Sequence, residues 1–307
     1  MESKYPCFVL SLDGGGSKGV YSLGVLRQVE ALVGAPLSQK FDLIYGTSTG
    51  AIIAAFLALG LSVDEIKNRY FDLIPQVMGH KKRSHRSREL RAQLAKTFGS
   101  KKFDSFQTNV GIVATNYDYE RPFIFKNDIT QAFGMTETFL PGFGCKISDA
   151  LLASCAAFPF FDRVTLDTPN QGKQELMDGG FVANNPTLFA IADASGSLKY
   201  AREHIKVLSV GVGHYIEPQK TWYSRMAFSW WPIQLVQKQF NTNTKTMEKL
   251  REIFFSDVAC VRVDGSYSDS RYETDMLEAD KKKLEMIFGL GRESFAKQEL
   301  EIKSLLQ

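Results

Sequence analysis

The run Gly46-Thr47-Ser48-Thr49-Gly50 follows an apolar strand candidate, Phe41-Asp42-Leu43-Ile44-Tyr45, and precedes residues 51–59, which are apolar on every side, as a helix packed on a central sheet is. Ser48 is therefore predicted to sit on a strand-to-helix turn. The flanking Gly46 and Gly50 permit the torsions and the close packing that such a turn needs, so the hydroxyl projects from the carboxyl end of a sheet as a nucleophile elbow. A Gly-x-Ser-x-Gly run by itself can be a flexible loop; the strand before it and the helix behind it point to a serine nucleophile.

Toward the N-terminus, Cys7-Phe8-Val9-Leu10-Ser11-Leu12 reads as a strand, and from Val20 the residues Leu23, Leu26, Val29, Leu32 and Val33 recur at helical steps until Gly34. Between them lies Asp13-Gly14-Gly15-Gly16-Ser17-Lys18-Gly19. Three successive residues without Cβ leave backbone N–H groups uncovered and let a carbonyl approach, and the helix start adds a positive dipole end. Those are the requirements of an oxyanion hole. Lys18 adds a cation to steady the loop or attract an anionic headgroup, its plainer role being a solvated lysine at a helix start. The run is not a P-loop, because Ser17 precedes Lys18 and Gly19 follows it. It is not the phosphate turn of the sugar-kinase and actin-like ATPases either, since that turn lies in a β-hairpin and helical spacing follows here.

A serine hydroxyl needs a neighbouring base. Of the four histidines, His80 and His85 lie in a basic run and His204 precedes the strand Ile205-Lys206-Val207-Leu208-Ser209-Val210. His214, behind that strand, is the one placed like a triad base. Its competitor is Asp178, at the end of the strand Glu175-Leu176-Met177-Asp178, followed by Gly179-Gly180 and by Asn184-Asn185-Pro186 opening another helix. An Asp-Gly-Gly run is ordinarily a turn; the two serine-hydrolase motifs shift the weight to a catalytic aspartate.

The sequence resembles the patatin-like phospholipase family in four blocks that follow the family's order: residues 13–19, residues 46–50, Ala153-Ser154-Cys155-Ala156-Ala157-Phe158-Pro159-Phe160-Phe161, and Asp178-Gly179-Gly180. The resemblance implies an α/β, three-layer fold with a central mainly parallel sheet, helices on both faces and a helical C-terminal extension. It also implies a Ser–Asp dyad, with Ser48 as nucleophile, Asp178 as base, and a hole built from Gly14, Gly15 and Gly16 with the Thr49 N–H. Lys18, Gly46, Gly50, Gly179 and Gly180 support these groups. Lys18 stands where the family often has Arg, which loses a two-pronged grip, and Ala157-Phe158-Pro159 departs slightly from the usual Ala-Ala-Pro spacing.

The implied reaction is hydrolysis of phospholipid esters through an acyl-enzyme. An aspartate with an ordinary pKa of about 3.9 is a weak base, so the site is expected to be dehydrated enough to raise it. No metal or cofactor is expected, as the four cysteines, Cys7, Cys145, Cys155 and Cys260, lack ligand spacing.

With 44% hydrophobic and 23% charged residues over 307 positions, the chain suits one large α/β core, read as residues 1–215 with an extension at 216–307 packed on it. Scattered cysteines and a charged start suggest a cytoplasmic enzyme, and the longest apolar stretch, residues 51–63, is too short to span a bilayer. Contact with the inner membrane is therefore expected to be peripheral. Two segments suit it: the basic run His80-Lys81-Lys82-Arg83-Ser84-His85-Arg86-Ser87-Arg88, in a chain of net charge +3, and residues 222–232, which hold all three tryptophans. Each has a plainer reading, as a solvated face and as core packing.

Elsewhere, Ser62-Val63-Asp64-Glu65 reads as a capping box opening a helix to about Met78, Ser87 as the start of another through Phe98, and residues 110–125 as two strands. Ser148 is expected to cap the third-block helix, residues 258–263 to form a final strand, and residues 273–307 to be helical and solvent-facing.

Within the family, the compact length, the immediate first strand and the aromatic and Arg262-Val263-Asp264 region are similar to bacterial phospholipase effectors switched on by cyclic dinucleotides in antiphage defence. That implies a silent enzyme gated by a nucleotide and by homo-oligomer formation, with no nucleic-acid polymer as partner. A constitutive lipid acyl hydrolase, a Ser-His-Asp esterase and an idle lipid-binding scaffold are the alternatives.

Overall fold

The structure is a computed structural model that describes residues 5–127, 140–141, 144–168, 172–216 and 231–307. Its strands are β1 (Cys7–Leu12), β2 (Leu43–Thr47), β3 (Asn109–Asn116), β4 (Arg121–Lys126), β5 (Leu140–Pro141), β6 (Val164–Thr168), β7 (Gly172–Asp178), β8 (Ile205–Val210), β9 (His214–Tyr215), β10 (Ala259–Val263) and β11 (Ser266–Tyr267). The helices are α1 (Gly19–Val33), α2 (Leu37–Lys40), α3 (Thr49–Ala58), α4 (Val63–Met78), α5 (Arg83–Phe98), α6 (Ile147–Ser154), α7 (Gly180–Ala183), α8 (Thr187–Gly196), α9 (Trp231–Phe254) and α10 (Lys281–Leu306).

One sheet forms the middle layer in the order β10-β8-β1-β2-β3-β4-β5, with β7 paired to β3 and β6 to β7. Strands β10, β8, β1, β2 and β3 run parallel, whereas β4 and β7 oppose β3. Side chains alternate between two cores. Leu10, Leu12, Ile44, Leu208 and Val210 join α1, α3, α4, α5, α6 and α10, while Cys7, Val9, Leu43, Tyr45 and Val207 join α8 on the other face. Burial on both faces explains why these strands read as continuous apolar runs. The layered α/β architecture with a mainly parallel sheet is as the sequence implied.

The capping box at Ser62 and Glu65 forms, and Gly34 closes α1 in the left-handed conformation. Other expectations are corrected. Helix α5 starts at Arg83, four residues before Ser87, and Arg86 of the basic run is buried, donating from Nε to Phe160 O at 3.1 Å and from Nη1 to His80 O at 2.8 Å. That guanidinium braces the chain, where a free basic face was expected. Ser148 caps nothing, because α6 begins at Ile147 and Ser148 is buried in its first turn. The strand at β10 is not the last, since β11 follows and pairs with β9.

Helix α10 is not solvent-facing. Leu284, Ile287, Phe288, Phe295 and Ile302 form a buried stripe, and the helix packs on α1. Its charges hide the pattern, because an amphipathic helix needs only one apolar stripe in three or four positions. Of the tryptophan segment, residues 222–230 lie outside the described residues, and Trp231 opens α9.

Candidate active site

Strand β3 brings Ser48 and Asp178 together. Its edge pairs with β2 as far as Thr47↔Val113, and from Ala114↔Asp178 onward that same edge pairs with β7, because β4 fills the opposite edge from Gly111 to Asn116. The antiparallel β7 therefore meets β2 end to end. Ser48 follows the last residue of one strand, and Asp178 is the last residue of the other.

Ser48 adopts φ 53 and ψ −120, a conformation that L-residues rarely take. Its N–H donates to Ser154 Oγ at 2.8 Å, and Ser154 Oγ donates to Val113 O at 2.6 Å. Ser48 O accepts the Ala51 N–H at 3.0 Å, starting α3. The elbow also needs its glycines. A Cβ on Gly46 would run into the Gly50 backbone, and one on Gly50 into the carbonyls of Leu12 and Asp13. This close contact places the elbow directly against the end of β1, and so against the glycine loop.

Within that loop, Gly14 is a correction to the expected donor set. Its N–H donates to Asn184 O at 3.0 Å and its carbonyl accepts Asn184 Nδ2 at 3.2 Å, so it anchors the loop and has no N–H to offer an oxyanion. The N–H groups of Gly15 and Gly16 have no acceptor among the described residues. Gly16 has φ 58, and a Cβ there would collide with the Met276 carbonyl. Thr49 is the first residue of α3, where an N–H has no intrahelical acceptor. The Tyr70 hydroxyl donates to Gly16 O at 2.7 Å and accepts from Thr49 Oγ1, tying loop to elbow. Met276 O closes the far side, accepting Ser17 N–H at 3.0 Å and Ser17 Oγ at 3.2 Å.

Asp178 is wholly buried. Its Oδ1 accepts the Gly180 N–H at 2.7 Å, its carbonyl accepts Thr115 Oγ1 at 2.8 Å, and the next N–H, of Gly179, donates to Ser154 O at 3.3 Å. Burial pushes the Asp178 carboxyl up to about 7, with the Gly180 N–H and the Ser48 hydroxyl pulling it back. The Ser48 hydroxyl is close enough for that effect, yet Oδ2 has no partner at regular hydrogen-bond geometry. Such bonds are often loose without substrate. The Cys155 thiol lies beside both groups and is pushed upward by burial and by the Asp178 charge.

From Ser48 and Thr49 a narrow cavity runs between α3, α4 and α5, walled by Ile52, Ile74, Val77, Leu90 and Phe160. The lining is apolar. Lys18 is half-buried rather than freely solvated; burial draws its pKa down against the pull of Asp264, Asp275 and Asp13. His214 lines a polar cleft with Lys18 and Lys245. No histidine lines the cavity at Ser48 among the described residues.

Residues 10–191, which span the glycine loop, the elbow and Asp178, match the sequence profile of patatin-like phospholipases. The chain belongs to the patatin-like phospholipase family. Over 300 residues, 98% of this chain and 94% of the relative, it is 46% identical to an Escherichia coli protein named cUMP-AMP-activated phospholipase. A Pseudomonas aeruginosa protein named cGAMP-activated phospholipase is 28% identical over 215 residues, 66% of this chain and 61% of that one. In fold, VipD from Legionella pneumophila superposes with a TM-score of 0.51 at 12% identity, covering 99% of this chain and 68% of that one. Human GIVD cytosolic phospholipase A2 superposes with a TM-score of 0.50 at 10% identity, covering 98% and 62%. The patatin-like resemblance read from four short blocks is borne out.

Sequence reasoning missed several groups that hold this patatin-like site: Asn184, Ser154, Tyr70 and Met276. Asn184 and Ser154 lie in quoted blocks, so their presence was visible and their roles were not. Nothing in the sequence marks Tyr70 or Met276, which matter only through a hydroxyl and a carbonyl delivered by packing. Among the described residues there is no cluster of three metal-ligating side chains, and no helix is long and apolar enough to cross a membrane.

Proposed function

We propose that this protein is a phospholipase A type acyl hydrolase using a Ser48–Asp178 dyad, held silent until a cyclic dinucleotide binds. The observation that carries the dyad is the Ser48 hydroxyl lying against a buried carboxyl whose pKa near 7 suits a base at neutral pH. Asp178 takes the Ser48 proton as Oγ attacks the ester carbonyl and returns it to the leaving lysolipid. Water, deprotonated by Asp178, then attacks the acyl carbonyl, and Asp178 gives that proton to Ser48 Oγ as the Oγ–acyl bond breaks and the fatty acid leaves. The N–H groups of Gly15, Gly16 and Thr49 receive the oxyanion, each such donor contributing on the order of 3 kcal/mol. The apolar cavity at Ser48 takes an acyl chain.

A lipid surface is the fitting source of substrate. Val77 and Met78 line the cavity, and Lys81, Lys82 and Arg83 follow them in sequence. The Arg83 guanidinium lies 5.2 Å from the ring of Phe158, which is 46% exposed. Arg83 is paired with Asp162, and the exposed Lys81 and Lys82 together with the exposed aromatic suit anionic headgroups at the inner membrane. The gate rests on the relatives' names, above all on 46% identity across nearly the whole chain. Homo-oligomers and a role in antiphage defence accompany that reading.

The test is turnover of a fluorogenic phospholipid by the purified full chain, alone and with cUMP-AMP or cGAMP, beside Ser48→Ala. Nucleotide is expected to raise turnover at least about tenfold in the wild type and to do nothing in the variant. Activity surviving in folded Ser48→Ala sinks the dyad; full activity without nucleotide sinks the gate.

A further inference from the structure

Behind the glycine loop, between α9 and strand β9, lies a cleft of about 500 Å³. It shares His214, Asn241 and Lys245 with a neighbouring hollow of about 300 Å³. Its cations are Lys18 on one wall and Lys238 and Lys245 on α9 opposite, and no acidic residue lines it among the described residues. None of the three lysines makes an ion pair among the described residues. The adjoining hollow contains Asp13 and Asp264, but both are held by Arg262, at 2.6 and 2.8 Å. Tyr215 contributes an aromatic face, and Gln237, Asn241 and Thr242 contribute hydrogen-bonding groups that recur along one side of α9. Cations on two walls, an aromatic ring and amides suit a ligand with two separated phosphates and two bases. The Ser48 cavity is different in kind, being almost wholly apolar.

We propose that this cleft is the receptor for the cyclic dinucleotide, with Lys18 facing one phosphate and Lys238 and Lys245 the other, and that α9 passes occupancy to the catalytic groups. The assignment rests on the gated reading above and gives it a location. The relay has two arms. In the first, Asn243 Oδ1 accepts the Asn184 N–H at 2.9 Å and Thr244 Oγ1 accepts Asn184 Nδ2 at 2.9 Å, while Asn184 itself bonds twice to Gly14. In the second, the Phe240 ring abuts Gly180, whose N–H holds Asp178 Oδ1. A ligand that draws α9 toward Lys18 thus moves the glycine loop and the Asp178 turn together. Asp178 Oδ2, which lacks a regular partner, is the atom whose contact with Ser48 such a shift completes.

The experiment measures binding of fluorescent cUMP-AMP and the nucleotide concentration giving half-maximal phospholipase activity, for wild type and for Lys238→Glu with Lys245→Glu. Both Kd and half-activating concentration are expected to rise at least about tenfold, the value of about 1.4 kcal/mol in charge-assisted contacts. If the double reversal unfolds the chain, Lys238→Ala with Lys245→Ala and Tyr215→Ala take its place. A wild type that responds while the variants bind equally well overturns this site and leaves the gate standing; a wild type deaf to both cUMP-AMP and cGAMP overturns the gate itself. Loss of binding to anionic vesicles with nucleotide binding intact overturns the assignment in favour of a lipid phosphate. For the relay, Asn243→Ala is expected to bind nucleotide within about twofold of wild type yet to reach a lower maximal activity. Unaltered maximal activity overturns the Asn184 arm.

Discussion

Ser154 holds Ser48 in place: its Oγ accepts the Ser48 N–H at 2.8 Å and donates its own O–H to Val113 O, the strand residue beside which β2 gives way to β7. Its carbonyl takes the Gly179 N–H, so one residue at the end of α6 braces both the elbow and the turn after Asp178. Ser154→Ala leaves a buried N–H and a buried carbonyl unpaired. A stability loss of about 1–3 kcal/mol in urea unfolding is expected, with kcat down about tenfold and KM nearly unchanged. A stability loss with normal kcat would make Ser154 a structural brace only.

Asp178 should impose a pH signature on both rate and stability. As the proposed base it would work only when ionised, so kcat/KM is expected to rise with pH through about 7 and level off above it. Stability runs the other way. The carboxyl ionises near 3.9 in the unfolded chain but near 7 in the fold, so the folded state loses ground as pH rises between these values and carries the full penalty above them. Asp178→Asn lacks the charge. It should be inactive yet more stable than wild type at pH 8, by something on the order of 4 kcal/mol, and nearly equal at pH 4. Thermal melts at the two pH values decide; a gap that does not depend on pH would contradict the buried-carboxyl account.

The apolar cavity predicts chain-length selectivity. Ile74→Phe narrows it between α3 and α5 and should cut turnover of long-chain esters about tenfold while sparing a butyrate ester. A length series of p-nitrophenyl esters reads this directly, and uniform loss across the series would show that the acyl chain lies elsewhere.

Gly50→Ala tests the close contact between elbow and glycine loop. The added methyl meets two main-chain carbonyls of β1 and its following turn, which have no side-chain freedom to yield. Overpacking of this kind costs about 1–3 kcal/mol or more, and the expected result is a lower Tm with activity lost even below it. Wild-type activity would mean that the loop tolerates displacement.

Much of the catalytic half was legible because it is local. The torsions at Ser48, the strand Cys7–Leu12 and the helix that Gly34 closes depend on residues within a few positions of one another, and glycine spacing with apolar periodicity reports them directly. Two expectations failed for different reasons: Ser148 has a capping side chain but stands two residues past the N-cap position, which Lys146 holds, and Arg86 belongs to a charged run but reaches the Phe160 carbonyl, distant in sequence. Helix α10 hid its buried stripe beneath its charges.

The sequence by itself determined that a serine stands on a strand-to-helix elbow beside an uncovered glycine loop, since both depend on backbone conformations that short-range sterics dictate. It left the base open between His214 and Asp178. Only the tertiary structure put Asp178 against Ser48, because that contact depends on β7 running antiparallel along the edge of β3 that β2 vacates, a pairing no local pattern encodes. The same holds for Gly14, whose N–H was free to be a donor on paper and is taken by Asn184, a residue brought in from beyond β7. Hydrogen bonds between distant segments are settled by how the layers pack, and packing is a property of the whole chain.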